Sequence, residues 1–334
     1  MDTATDPKLT DSLNHRLHDA IRYAVMAPSS HNTQPWAFRL KPGQVELFAD
    51  LTRACPVVDP HNRELTISCG AALYHLRLAM NNDSLATLVR VLPANDDEDL
   101  IARVLVAGPH NPSDDERVLF DAIPKRRTNR FPFSKQAIDS DRQAEWIDDA
   151  KSERVWIHLI HSDREKHAVA DLVSQGDKIQ ASDKQFCREL AKWVHSNSSS
   201  RRDGIPGYSQ GISDLASHFG WLAVRTFDWG NGQAAKDRQL AEGSPLLAVI
   251  GSEADTPADW VDCGQALAKI TLRAASCSID ASYLNQPIEV PSLRTKLAKS
   301  IGVNGYPQLL LRLGYGSEVK PTPRRSVDEV IMAP

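Results

Sequence analysis

A short block of small residues occurs twice in this chain. Cys69-Gly70-Ala71-Ala72-Leu73 in the first half is matched by Cys263-Gly264-Gln265-Ala266-Leu267 in the second. At the same offset Leu78 answers Leu272, and Ser84-Leu85 answers Ser278-Ile279. Each block sits in a long stretch of helical periodicity, about Leu65 to Met80 and Trp260 to Ala275. Small side chains there let a second helix approach closely. Two readings follow. Either two core helices share a small-residue stripe by chance, or the chain is an internal duplication of an α+β domain folded as a pseudo-dimer. In the second case a ligand site is expected between the halves.

The rest of the pattern suits mixed α and β structure. Leu13, Leu17, Ile21 and Val25 mark one face of a helix, capped near Thr10 or Asp11 and stopped by Pro28. Strands are expected at Ala37 to Leu40, Val45 to Ala49, Leu88 to Leu92 and Ile101 to Val106. The turn-rich segment Gly108 to Glu116 suggests a boundary, giving a first half over 1–115 and a second over 116–334. Further strands are expected at Val155 to Ile160, Leu246 to Ile250 and Leu309 to Leu313. Ser196 to Gly211, rich in Ser, Gly and Arg, reads as a flexible loop.

At 334 residues, with 41% apolar and 25% charged residues, the composition is that of a globular protein. A net charge of −4 leaves no excess of cations for binding nucleic acid. No apolar run approaches the ~20 residues of a membrane helix. The first residues are acidic and polar, unlike a secretory signal, and the five cysteines are scattered without a C-x-x-C pair. A reduced, cytoplasmic protein without a metal cluster or disulfide framework is expected.

Two segments carry unusual chemistry. Ala27-Pro28-Ser29-Ser30-His31-Asn32-Thr33-Gln34-Pro35-Trp36 packs prolines, hydroxyls and amides into one connector, and should form a stiff loop that presents polar groups. Lys125-Arg126-Arg127-Thr128-Asn129-Arg130 is either a solvated basic turn or a phosphate clamp, with Arg324-Arg325 near the C-terminus as a second clamp element. P-loop, G-x-G-x-x-G and H-E-x-x-H signatures are absent. No protein-based nucleophile and base are evident, so the chemistry is expected to belong to a cofactor, with no catalytic side chain assigned.

Pro28-Ser29-Ser30-His31-Asn32-Thr33-Gln34-Pro35-Trp36 resembles the P-S-S-x-N-x-Q-P-W segment of the FMN-dependent nitroreductases. Arg126-Arg127-Thr128-Asn129-Arg130-Phe131 resembles their R-x-S-x-R/K-x-F segment. In that family two subunits entwine, and each flavin site takes one segment from either subunit. Here each half holds one segment, so together they make one complete site. Asp59-Pro60-His61-Asn62-Arg63-Glu64 followed by Ile67-Ser68-Cys69-Gly70-Ala71-Ala72-Leu73 is similar to the Acg-like branch of the family, as are Arg188-Glu189-Leu190, Asp203-Gly204-Ile205-Pro206 and Gly305-Tyr306-Pro307-Gln308 before Arg312.

The resemblance implies a nitroreductase-like α+β fold, two copies fused, with FMN as cofactor and NAD(P)H as a possible co-substrate. It assigns Arg126, Thr128, Arg130, Arg324 and Arg325 to the phosphate and ribityl chain, and Pro28, Ser29, Ser30 and Asn32 to the ring and ribityl from the other half. Asn285-Gln286 stands where many relatives carry a Glu-Gly pair beside the ring, which removes a charge and an open backbone there. A lid is implied over about 172–211. The implied activity is electron transfer from NAD(P)H to nitroaromatic, quinone or related small-molecule acceptors. The alternative is an FMN-sequestering protein whose lid prevents turnover. A monomeric pseudo-dimer is expected in preference to a homodimer.

Overall fold

The computed structural model describes residues 7–93, 97–211 and 230–333. The first half begins with α1 (Pro7–Ala24), then β1 (Trp36–Lys41), β2 (Gln44–Ala49), α2 (Arg63–Asn82), β3 (Leu85–Val91), β4 (Leu100–Pro109) and α3 (Asp114–Ala122). The remainder runs α4 (Ser140–Ser152), β5 (Trp156–Ile160), α5 (Asp163–Ser182), α6 (Lys184–Trp193), β6 (Val194–His195) and β7 (Ile205–Pro206). It continues with α7 (Gly230–Gly243), β8 (Leu246–Ser252), α8 (Pro257–Ser276), β9 (Asp280–Tyr283), α9 (Gln286–Glu289), α10 (Pro291–Ser300) and β10 (Tyr306–Gly314).

Two antiparallel four-stranded sheets organise these elements, in the orders β1-β2-β4-β3 and β5-β8-β10-β9. Numbered within each sheet, both orders read first, second, fourth, third. In both, a 20-residue helix joins the second strand to the third: α2 and α8. The duplicated blocks lie on these two helices. The α+β fold with two fused copies, expected from the repeat, is therefore present as repeated topology.

The small residues of the repeat meet one another. A methyl group added at Gly70 would lie 2.3 Å from the Val261 carbonyl oxygen, and one added at Gly264 would lie 2.0 Å from the Ile67 carbonyl oxygen. Both are far inside van der Waals contact, so the α2–α8 crossing exists because neither position carries a side chain. The α8 start is set by a reciprocal cap between Thr256 and Asp259, with Pro257 in the first turn.

Packing on the second sheet shows how strand periodicity becomes two layers. Leu309, Leu311 and Leu313 of β10 join Trp146, Ala150, Cys263 and Ile270 on one face. Leu310, with Leu247 and Val249 of β8, joins Val169, Val173 and Leu297 on the other. The first sheet buries Phe38, Val45, Leu47 and Val104 against α1 and α2.

The division between halves is not a simple cut at 115/116. Leu119, Ala122 and Ile123, in and just after α3, are buried in the first half's core. A few residues later Thr128 bridges Ala281 of β9, and Asn129 N–H donates to the Ala281 carbonyl. The C-terminal tail then returns: Phe38 N–H donates to Val330 O and Met332 N–H to Phe38 O, each at 2.7 Å. Each half thus extends an arm onto the other. α1 also begins earlier than its expected cap, at Pro7. The segment expected to form a lid from about 172 divides in two. Leu172 and Val173 of α5 are core residues of the second half. The covering part starts with α6, whose Phe186 and Cys187 pack against Cys55 and Val58 of the first half.

Replacing Gly264 with Ala is expected to lower stability by about 2 kcal/mol or more, since the added methyl meets backbone that cannot rotate away. The gain in helix propensity, about 1 kcal/mol, is smaller. Thermal unfolding of the variant beside wild type reads this; an unchanged midpoint would mean that the two helices do not cross at these glycines.

Candidate functional site

The loop between α1 and β1 departs from ordinary backbone at three non-glycine residues: His31 (φ 49°), Asn32 (φ 55°) and Gln34 (φ 53°). Left-handed residues of this kind cost of order 1 kcal/mol or more each and persist where surrounding bonds fix them. Those bonds are present. Asn32 N–H donates to Ser29 O, Thr33 N–H to Ser30 O, and Gln34 N–H to Ser29 Oγ. Gln34, fully buried, donates its side-chain amide to Arg202 O at 2.8 Å and accepts Arg325 N–H at 2.8 Å. The loop is held from one side by the tail and from the other by the covering segment.

Above this loop lies a cavity of about 400 Å³ between the halves. Pro28, Ser29, Ser30 and Asn32 line it from the first half, Thr128 and Arg130 from the crossing segment, Asn285 and Gln286 from the second half, and Arg324 from the tail. Arg126 is buried without lining the cavity; one guanidinium nitrogen reaches Met26 O at 3.4 Å. Arg325 is not brought to the cavity. Its guanidinium bonds Gln34 O and Glu329 O and lies 3.5 Å from Asp50, so it braces the strained loop. Neighbouring residues of an extended tail face opposite ways, and the pair Arg324-Arg325 therefore divides its duties.

The cations of this region lack counter-ions. Among the described residues, Arg126, Arg130, Arg312 and Arg324 form no ion pair with a carboxylate, and each keeps a buried guanidinium nitrogen without a hydrogen-bond partner. Arg312, absent from the sequence-based site, is 1% exposed within the apolar strand β10 and stacks over the Phe133 ring at 4.5 Å. Burial, with Arg126 and Arg127 adding repulsion, pulls Arg324 down to about 9. Burial likewise brings Arg312 down to about 10. Both remain charged at neutral pH. Buried charge without an opposite partner is costly, so this arrangement suits a bound anion such as a phosphate. A charged residue inside a leucine-rich strand was the sequence signal for Arg312.

Carboxyl groups occupy other parts of the wall. Gln286 donates its amide N–H groups to Asp177 Oδ1 (3.0 Å) and Asp237 Oδ2 (2.9 Å). Gln180 donates to Glu289 at 2.5 Å. Ser30 Oγ donates to Glu64 Oε2 at 2.8 Å, and Arg63 to Glu64 Oε1 at 3.0 Å. Asn285 is pinned, accepting Leu310 N–H at 2.9 Å. Burial, then the nearby Asp237 charge, pushes the Asp177 carboxyl up to about 7. Burial, then Glu64, pushes Glu289 up to about 8. No sequence pattern marked these acids, which lie in polar, charge-rich helices. His31, beside Ser30, is held neutral by burial, its value lowered to about 4.

The covering segment closes one side. Gly204 N–H donates to Asn32 O at 3.1 Å, and Asn32 Nδ2 returns a bond to Gly204 O at 3.0 Å. Glu189 accepts the N–H groups of Val57 and Val58, both at 3.0 Å. Arg53 pairs with Asp203. Phe186, Leu190 and Ile205 supply apolar wall. Cys55, Cys69, Cys263 and Cys277 form no disulfide. Among the described residues no His, Cys, Asp and Glu cluster could hold a metal ion, and no helix is long and apolar enough to cross a membrane.

Comparison with known proteins gives the following. The chain is 29% identical over 346 aligned positions to "Putative NAD(P)H nitroreductase Rv3131" of Mycobacterium tuberculosis, covering 100% of this chain and 98% of that protein. It is 28% identical over 324 positions to "Putative NAD(P)H nitroreductase acg" of the same organism, covering 94% of each. "Probable NAD(P)H nitroreductase PigM" of a Serratia species is 21% identical over 343 positions, covering 97% of this chain and 95% of that protein. No family model matches the chain. Among solved structures, the FMN and NADPH-dependent nitroreductase NfnB from Sphigopyxis sp. strain HMH gives a TM-score of 0.44 at 16% identity, covering 65% of this chain and 98% of that one.

The raised acids set a pH dependence of stability. Asp177 and Glu289 hold protons in the folded chain that the unfolded chain has already released, so their contribution falls as pH rises toward 7 and 8. His31 and His75, lowered by burial, act in the opposite sense, but only below about 6.5, the unfolded value. From about pH 6.5 to 8 the acids alone remain, and the ligand-free protein should lose thermal stability across that window. The loss should be smaller in Asp177→Asn. A melting temperature that climbs from pH 6.5 to 8 would contradict the burial of these acids.

Proposed function

We propose, from the 28–29% identity to proteins named as NAD(P)H nitroreductases, that the chain is an FMN-dependent oxidoreductase. It would pass electrons from NAD(P)H to small electrophilic acceptors such as nitroaromatics and quinones, acting as a single chain in the cytoplasm. The observation that carries the proposal is a set of guanidinium groups, each with a buried nitrogen lacking a hydrogen-bond partner and none paired with a carboxylate, beside a cavity between the halves. That set matches the charge and hydrogen-bonding needs of a phosphate ester.

The residues fit FMN. Arg130 and Arg324, with Thr128 and Thr322, would hold the phosphate, and Arg126 would add positive potential from behind. Ser29, Ser30 and Asn32 would offer polar contacts from the rigid loop. Ile67, Leu267 and Leu309 supply an apolar wall suited to a flat ring. When bound, FMN supplies reversible hydride and electron transfer. The protein's own work is to orient the ring, exclude water beneath the covering segment and hold nearby protons.

A second reading has its own support. The covering segment is tied to the loop and to the first half through Gly204, Asp203 and Glu189. If those ties persist in solution, FMN would be held out of reach of NAD(P)H, and the protein would sequester it.

The purified protein should be yellow, or become so on adding FMN. Arg130→Ala should weaken FMN binding at least about tenfold, since a charge-assisted contact contributes about 1.5–3 kcal/mol. Fluorescence titration measures this; unchanged affinity would remove Arg130 from the phosphate site. NAD(P)H oxidation with menadione as acceptor separates the readings: rapid turnover eliminates pure sequestration, and FMN that stays oxidised under excess NAD(P)H eliminates the reductase.

A further inference from the structure

Reducing a quinone to its hydroquinone consumes two electrons and two protons. A hydride delivers both electrons with one proton, and the second proton must come from an acid. Beneath a covering segment that acid has to be resident in the cavity or connected to water.

Asp177 and Asp237 form an asymmetric pair. They come from packed helices, α5 and α7, and are joined by one amide: Gln286 Nε2 donates to an oxygen of each. Burial raises the Asp237 carboxyl as well, but Asp237 is the better hydrogen-bonded of the two. Its Oδ2 also accepts from Gln233 at 2.9 Å, and Lys236 and Arg312 favour its charge. Among the described residues, Asp177 receives only the Gln286 bond. Its Oδ2 is buried and has no partner, although the residue is 4% exposed and lines the cavity. A second unpaired buried group lines the same cavity. Arg312, 1% exposed and lining the cavity, keeps its Nε unpaired, and its charge is felt at Asp237. The unpaired carboxyl oxygen, the unpaired guanidinium nitrogen and the neighbouring carboxylate together form a built polar site rather than an acidic patch.

We propose that Asp177, in its protonated form, is the proton donor to the acceptor reduced in this cavity, with Asp237 as the fixed carboxylate beside it and Gln286 holding the two in register. In the step, the O–H bond of Asp177 breaks and an O–H bond forms on the acceptor oxygen. Asp177 is left as a carboxylate and is reprotonated from solvent before the next turnover. The electrons originate with NAD(P)H. The groups acting on Asp177 are Asp237 of α7 and Gln286 of α9; Lys236, Glu289, Arg312 and Arg130 are the other charged or titratable groups of the cavity wall named here. Burial and the Asp237 charge keep the Asp177 proton bound to about pH 7, which suits a donor working at neutral pH. This inference rests on the FMN reading above.

The test uses FMN-loaded wild type and D177N, each reduced with dithionite and mixed anaerobically with menadione or with ferricyanide, which accepts electrons without a proton. Oxidation of D177N by menadione should slow by about a hundredfold and lose its dependence on pH near neutrality. Oxidation by ferricyanide should be unchanged, and D177E should recover part of the menadione rate. Independently of activity, infrared difference spectra between acidic and alkaline pH should show a protonated carboxylic acid in wild type near neutral pH that is missing in D177N. Equal menadione rates in FMN-loaded wild type and D177N overturn the proposal alone. So does an equal slowing with both acceptors, which would mark a structural role, or the absence of the infrared band. A wild-type protein that takes up no FMN overturns the proposal together with the reading on which it rests. If D177N fails to fold, D237N takes its place: the Asp177 infrared transition should then move to lower pH, and an unmoved transition overturns the pairing.

Discussion

Everything between the halves depends on how closely α2 and α8 approach. The crossing at Gly70 and Gly264 brings backbone against backbone, with carbonyl oxygens where side chains would otherwise stand. A separation set by ordinary side chains would be several ångströms larger. The two sheets, each carried by one of these helices, would move apart with it. The cavity has walls from both halves, so its width is fixed by two residues that have no side chain. The crossing also carries part of the cavity wall, since Ile67, whose carbonyl meets Gly264, lines it.

A second constraint is exchange. The segment from α3 to Arg130 leaves the first half's core and pairs with β9, while the tail leaves β10 and pairs with β1. These crossings bring Arg130 and Arg324 to one cavity beside the loop. The tail does two things with adjacent residues: Arg324 turns to the cavity, bonding Asn32 Oδ1 at 2.9 Å, and Arg325 satisfies the carbonyl of the strained Gln34. The strain at His31, Asn32 and Gln34 is sustained by partners distant in sequence, so loop geometry and cation placement form together or not at all.

The readable and unreadable parts of the site differ in physical kind. Pro28 to Asn32 and Arg126 to Arg130 were visible because their composition is improbable for a connector. Asp177, Asp237 and Glu289 were not, because an acid on a polar helix looks the same whether it faces solvent or a cavity. Arg325 misled for a related reason: charge and proximity marked the pair, but the side on which each residue lies depends on how the tail is laid down. The lid boundary erred similarly. Leu172 and Val173 sit among polar residues, and only packing against Leu247 and Val249 reveals α5 as part of the core.

The sequence by itself determined the local elements, the duplication and the chemical character of the loop and the basic run, because periodicity, turn chemistry and small-residue spacing act over short stretches of chain. Tertiary structure alone decided which cations would be left without carboxylate partners and which acids would be buried deeply enough to keep a proton. Both properties are differences between a group's surroundings in the fold and in water. Those surroundings are assembled from α5, α7, β10 and the tail, elements whose proximity no local pattern records.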